Sequence, residues 1–250
     1  MEYDLEIAIP TYNRPDILGK KTLKLLEEVP KEYIKIYVED EEQASLYSNY
    51  GEKDQLILTH TKGIGEKRNF IKQHSKSRWL MQIDDDLSDI VDFNGIALSS
   101  KKIFDIIIDG FKEAERQNLR LWGIAPFCNS FYLKNLSSNN LKFICGNFHG
   151  TINSNPIMTP INTFEDYYNT CMYFLEDGGV LRYNGFGTRT GFAKTKGGLQ
   201  SFFEESKDRT NEEMINADIL IGMFGKKMLR KVIKKRGVDL RLNHHFKLRN

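Results

Sequence analysis

The chain has 250 residues, 36 Lys and Arg against 34 Asp and Glu, a net charge of +2, and 12% aromatic residues. That composition excludes a disordered chain and suits one α/β domain, with or without a small appendage. No run approaches the ~18 apolar residues of a membrane span, the start MEYDLEIAIP has no basic leader, and Cys128, Cys145 and Cys171 form no CxxC pair. A soluble, cytoplasmic protein with reduced thiols and no zinc centre is therefore expected.

In chain order, LEIAIP (5–10) predicts a strand stopped by proline, and 16–28 has helical spacing at Ile17, Leu23, Leu26 and Val29. YIKIYVED (33–40) and QLILTH (55–60) predict two more strands, 65–74 a helix, and RWLMQIDDD (78–86) a fourth strand. Residues 99–118 predict an amphipathic helix, LWGIAPF (121–127) and LKFICGNFHG (141–150) strands, and 162–179 a helix closed by two glycines. YNGFGTRTGFAKTKGG (183–198) predicts a Gly-rich loop that could close over a substrate, and GKKMLRKVIKKRG (225–237) a helix with one cationic face. The alternation of strand and helix predicts a doubly wound, mainly parallel sheet, whose ligands sit beyond the carboxyl ends of the strands. Polar clusters fall at those ends: PTYNRP after the first strand, EDEEQ after the second and DDD after the fourth.

Three consecutive carboxylates, Asp84, Asp85 and Asp86, need something to offset their charge. A hard divalent cation, Mg²⁺ or Mn²⁺, takes one or two protein carboxylates and completes its shell with water and substrate phosphates. Strand alternation turns Asp84 and Asp86 to one side and Asp85 to the other; a solvated acidic turn is the competing reading. In TFEDYY (163–168), Glu165 and Asp166 open a helix. Thr163 with Asp166 has the spacing of a capping box, yet a capped helix is also a rigid platform for a general base.

PTYNR, then GIGEKRN (63–69), then DDD resemble, in order and spacing, the nucleotide-sugar half of GT-A glycosyltransferases over residues 5–90. The resemblance implies a GT-A type α/β fold in which 1–225 is one catalytic domain, with 1–90 binding the nucleotide sugar and 91–225 the acceptor, and 226–250 a basic tail. It places Asp86 on the metal and Asp84 near the ribose or in the metal's water shell. Pro10, Thr11, Arg14, Glu39 and Asp40 fall to the nucleotide, Lys67 and Arg68 to the diphosphate, and Asp166, with Glu165 second, to the catalytic base. His149, Arg189, Lys194 and Lys196 are candidates for a third metal ligand or a diphosphate contact. The family's usual DDGSTD run is absent after the second strand.

Charge is unevenly spread: residues 226–250 hold ten Lys or Arg against one acid, Asp239. That segment is +9 and residues 1–225 are −7, together the chain's +2. Such a segment is the electrostatic footprint of a phosphate backbone, although a solvated face or an anionic membrane would also suit it. Together with FED, KTKGGLQ (Gly197, Gly198) and the compact layout, it resembles phage TET/JBP-associated glycosyltransferases. These imply a hydroxymethylated pyrimidine in DNA as acceptor, a base flipped from the duplex, and Phe131, Tyr132, Phe148, Tyr167 or Tyr168 for stacking. A polysaccharide, lipid or protein acceptor, or a non-enzymatic nucleic-acid module, remain the alternatives; a nucleotidyltransferase would want glycines where PTYNRP has none.

Overall fold

The structure is a computed structural model that describes residues 2–190, 206–234 and 237–248. Among these, β1 (Leu5–Pro10), β2 (Ile34–Val38), β3 (Leu56–Leu58) and β4 (Trp79–Ile83) are the four strands expected, each apolar and short. They join β5 (Leu87–Asp92), β6 (Leu121–Ala125), β7 (Ser137–Ser138), β8 (Phe148–Ile152) and β9 (Leu181–Thr190) in one sheet of order β3-β2-β1-β4-β8-β6-β9-β5, with β7 beside β9. Pairing is parallel from β3 to β4 and between β6 and β9; β8 and β5 run antiparallel. The carboxyl ends of β1, β2 and β4 therefore share one edge, and β8 starts at that edge because it runs the opposite way.

Helices cover both faces. The first expected helix is two pieces, α1 (Pro15–Lys20) and α2 (Thr22–Leu25), broken at Lys21, while α3 is Glu41–Leu46. Next come α4 (Ile64–His74), α5 (Ser100–Arg116), α6 (Glu165–Asp177) and α7 (Ser206–Phe224). The Ile103, Ile107 and Phe111 stripe of α5 is fully buried with Trp122 and Phe148 in one core, each such side chain contributing about 1.5–3 kcal/mol. A second core joins α6 and α7 to the last two strands through Tyr168, Phe174, Ala217, Leu220, Leu229 and Leu240.

Three expectations are corrected. Residues 183–190 of the Gly-rich stretch are strand β9, because Tyr183 pairs with Ile124 and Thr188 with Ile90 in the sheet. Lys194, Lys196, Gly197 and Gly198 lie outside the described residues. The helix expected over 225–237 is a hairpin, β10 (Leu229–Lys234) with β11 (Gly237–Leu242). β-branched Val232 and Ile233 favour a strand, and Val238, Leu240 and Leu242 bury every second side chain onto α7, a period of two that a helix cannot satisfy. Of the strand expected over 141–150, only its end belongs to β8.

Candidate active site

Helix α4 starts without a cap of its own: Gly63 is at φ 86° and offers no side chain. Asn162, from the loop before α6, supplies the missing acceptor, its Oδ1 receiving the amides of Gly65 (3.1 Å) and Glu66 (3.3 Å). Further along α4, Asn69 exchanges bonds with the Thr159 backbone (2.7 and 2.9 Å), and Lys72 Nζ donates to the Ile157 carbonyl (2.6 Å) and Asn169 Oδ1 (3.1 Å). Helix α4, between β3 and β4, is thus stitched along its length to the segment carrying the Glu-Asp pair.

Arg68 sits at the centre of that seam with 2% of its side chain exposed. It donates to Asp84 Oδ1 (2.8 Å), Glu165 Oε1 (3.2 Å) and Gln82 Oε1 (3.4 Å). Gly146 permits this: a Cβ there would lie 2.7 Å from Arg68 Nη2 and 3.1 Å from Glu165 Oε1. Lys67 is also buried, its Nζ donating to the Thr11 carbonyl (2.9 Å) beneath the Tyr12 ring. Burial pulls its pKa down to about 8, opposed by Glu39, Asp85 and Asp40. Lys67 and Arg68 are therefore neither an exposed helix face nor open phosphate contacts; they are internal cations that fix the loops around them.

The aspartates divide the work. Asp85 is closed off and accepts from Thr11 Oγ1 (2.6 Å) and Arg14 Nη1 (3.3 Å), while Tyr47 Oη meets Thr11 Oγ1 (2.7 Å) and takes the Arg14 amide (2.8 Å). Its pKa is raised to about 6, chiefly by burial. Asp85 is thus the anchor of the PTYNR loop. Asp84 and Asp86 keep 33% and 17% of their side chains exposed, Asp86 with Arg14 Nη1 3.8 Å away. Burial and Asp84 push the Asp86 pKa up, the response of an anion short of positive charge. Thr22 pins this turn, donating to the Asp84 carbonyl (2.7 Å) and accepting the Leu87 amide (3.1 Å).

Glu165 and Asp166 begin α6, but Thr163 does not cap it. Phe164 occupies the N-cap at φ 63°, and Thr163 Oγ1 instead accepts from Asn216 of α7 (2.7 Å). Asp166 is half-buried, with Oδ2 receiving the Gly146 amide (3.3 Å) and Oδ1 the Tyr167 amide (2.9 Å). Burial and the Glu165 charge raise its pKa to about 7. Glu165 is raised by burial too, with the Arg68 charge opposing. The pair thus separates into a carboxylate salted to Arg68 and one poised near neutrality.

Pro10 ends β1 at the same edge. Asp40 caps α3 by accepting the Gln43 amide (2.9 Å), and Glu39 Oε2 is buried with no hydrogen-bond partner among the described residues. His149 is not part of the cluster: it lies within β8 opposite Gln82, 4% exposed, with Nδ1 against the Gly146 carbonyl (3.0 Å). Burial, Arg68 and Lys72 hold its pKa well below the usual imidazole range. Arg189 is taken by Asp89 (3.0 Å). Of the stacking candidates, Phe148 and Tyr168 are core residues, Tyr167 stacks on Phe143, and Phe131 and Tyr132 are open to solvent. Sequence reasoning missed Thr22, Tyr47, Gly146 and Asn162, which carry no motif of their own.

A divalent cation fits the donor set in part. Asp84 and Asp86 are hard oxygen ligands at the mouth, but no group of three His, Cys, Asp or Glu among the described residues could hold an ion alone. Such a site suits a metal whose remaining ligands come from substrate phosphates and water. Cys128, Cys145 and Cys171 are free, and no described helix is long and apolar enough to cross a membrane.

No protein-family model and no curated protein matches the sequence. Solved structures match the fold. A mannosyltransferase from Pyrobaculum calidifontis, in complex with GDP-Man and Mn²⁺, superposes with a TM-score of 0.54 at 12% identity over 88% of this chain, which spans 64% of that one. Glucosyl-3-phosphoglycerate synthase from Mycobacterium tuberculosis with Mn²⁺, UDP and its product superposes at 0.55, with 9% identity over 95% of this chain and 87% of that one. The same enzyme with UDP-glucose and phosphoglyceric acid gives 0.56 at 9% identity, over 92% and 83%. The chain has the α/β fold of these GT-A type glycosyltransferases.

Proposed function

We propose that this chain is a metal-dependent glycosyltransferase that moves a sugar from a nucleotide-diphosphate sugar to a hydroxyl acceptor. The observation that carries the reading is the line Asp84–Arg68–Glu165–Asp166. Asp84, at the edge where α/β sheets bind ligands, is joined through one buried guanidinium to Glu165, whose neighbour Asp166 is half-buried with a pKa of about 7. The ligands of the fold neighbours, UDP or GDP sugars with Mn²⁺, agree with that chemistry.

In this reading Asp86, with Asp84, would hold a divalent cation, which would supply positive charge for the diphosphate. Glu39, with its unpartnered Oε2, and the loop anchored by Thr11, Arg14 and Asp85 receive the nucleotide. Asp166 takes the acceptor hydroxyl's proton as that oxygen attacks the anomeric carbon, and a pKa near the working pH suits a base for that task. Glu165, bonded to Arg68, adds to the rise of the Asp166 pKa and is a positioning residue.

For the acceptor we favour a hydroxymethylated pyrimidine in DNA. The support is the hairpin: Arg230 and Arg241 stand directly opposite each other, both exposed, in a strand pair whose Leu240 carbonyl receives the Tyr167 hydroxyl (2.7 Å), one residue from Asp166. Like charges directly opposite are unfavourable unless an anion joins them. The test is to incubate the protein, Mn²⁺ and a panel of nucleotide sugars with hydroxymethylcytosine DNA, then weigh the digested nucleosides. A sugar-sized mass gain supports the acceptor; no gain with any donor removes the DNA assignment and leaves polysaccharide, lipid or protein acceptors to be tried.

A further inference from the structure

Resting on the transfer reading, we propose that Lys142, Arg182 and His244, with Lys134 at their edge, form a phosphate-binding subsite that holds the acceptor beside Asp166. Some cations of this chain are given an acid, as Asp218 is to Lys231 and Asp239 to Lys234. Among the described residues, none of Lys134, Lys142, Arg182 and His244 has an ion-pair partner.

These side chains are held together by contacts to the backbone. Arg182 Nε donates to Asn184 Oδ1 (2.8 Å) and Nη1 to the Phe143 carbonyl (3.3 Å), which fixes the guanidinium plane. His244 lays Nδ1 against the Leu141 carbonyl (2.8 Å), and Asn140 Nδ2 donates to the His244 carbonyl (3.0 Å), so the C-terminal segment is tied over the 140–142 loop. The charges act on one another: burial lowers the Lys142 pKa, with Arg182 and Lys134 adding to it. Burial also lowers His244, the Leu141 carbonyl opposing and Lys142, Arg182 and His245 adding. A pre-ordered cluster of donors without a carboxylate gains most from an anion with several oxygens, and a guanidinium favours phosphate.

Two further observations tie the cluster to the acceptor. The Phe143 ring, whose carbonyl Arg182 holds, stacks on Tyr167 at 4.2 Å, and Tyr167 follows Asp166. Just before Lys134, Phe131 and Tyr132 are 80% and 61% exposed. Exposed aromatics beside cations make a surface on which bases stack while phosphates are neutralised, so a nucleic-acid strand is the source favoured here.

The test uses the full chain and two probes, inorganic phosphate and a fluorescent single-stranded oligodeoxythymidylate. Phosphate is expected to move the His244 ring resonances in wild type and not in Arg182→Gln. Arg182→Gln and Lys142→Gln are each expected to weaken oligonucleotide binding about tenfold, the loss of one charge-assisted bond, and to flatten the log–log salt slope by about 0.7 per lost contact. Lys134→Gln, at an exposed position, should give a smaller loss in the same direction and controls for misfolding. If phosphate moves His244 but the variants bind oligonucleotide as wild type does, the subsite stands and serves a small phosphorylated acceptor. An unmoved His244 together with unchanged oligonucleotide affinity overturns it. Failure of the transfer reading shows separately, as wild-type protein that binds no nucleotide sugar with Mn²⁺.

Discussion

Replacing Arg68 with Met tests the seam most sharply. The substitution keeps much of the side chain's volume but leaves Glu165 buried without its cation and Asp84 without its 2.8 Å donor. Removing one partner of a buried ion pair costs about 3–5 kcal/mol. Asp84 is a third exposed and water can take over there, so most of that cost falls on Glu165. In a chain of this size each kcal/mol lowers Tm by about 2–4 °C, which places the variant about 6–20 °C below wild type at neutral pH. The deficit should shrink on acidification. Burial raises the folded-state pKa of Glu165, a raised carboxyl stabilises the fold below its unfolded pKa, and that stability is lost as pH rises through the folded value. Thermal unfolding followed by circular dichroism at pH 5 and pH 8 reads both effects. A deficit under about 1 kcal/mol, or one equal at the two pH values, would refute the view that Arg68 joins the two halves of the site.

Three further outcomes follow from the same geometry. Transfer rates should fall below a limb near pH 7, because Asp166 must be ionised to accept a proton and its pKa is raised to about 7; Asp166→Asn should lose the activity with little change in Tm, and a flat profile from acid to neutral pH would count against it as base. Asp86→Asn should abolish Mn²⁺-dependent donor binding while leaving Tm near wild type, whereas Asp85→Asn, which weakens the Thr11 and Arg14 anchor, should cost about 1–3 kcal/mol of stability and raise the donor KM; identical behaviour of the two would contradict their separate roles. Burial depresses Lys72 to a pKa of about 7, so the stability it contributes is present above 10.5 and lost as pH falls through about 7. Wild type should therefore gain on Lys72→Met between pH 7 and 10 in chemical denaturation, and a constant difference across that range would refute a depressed Lys72.

Much of the candidate site was legible in the sequence because α/β sheets gather ligands at one edge, so PTYNRP and DDD could be placed together before any contact was known. What was not legible depends on what the second half does to the first. Helix α4 is buried on the side of Arg68 and Lys72 because the 157–169 segment folds back over it, and no periodicity in GIGEKRNFIK announces that cover. Asp85 alternates away from its neighbours as strand geometry requires, yet its importance came from Thr11, Arg14 and Tyr47, distant in sequence. His149 looked like a ligand because its burial in β8 is visible only once β4 and β6 flank it. The C-terminal segment was misread because KKMLRKVIKK satisfies a helical spacing by chance, while its β-branched pair and the alternating VDLRL decide for a hairpin.

The central claim is that this edge binds a nucleotide-diphosphate sugar through a metal on Asp86. Calorimetric titration of wild type and Asp86→Asn with UDP- and GDP-sugars, with and without Mn²⁺, addresses it directly. The account predicts binding of at least one donor by wild type that requires Mn²⁺ and disappears in Asp86→Asn. Absence of binding for every donor, or binding indifferent to both metal and Asp86, would contradict it.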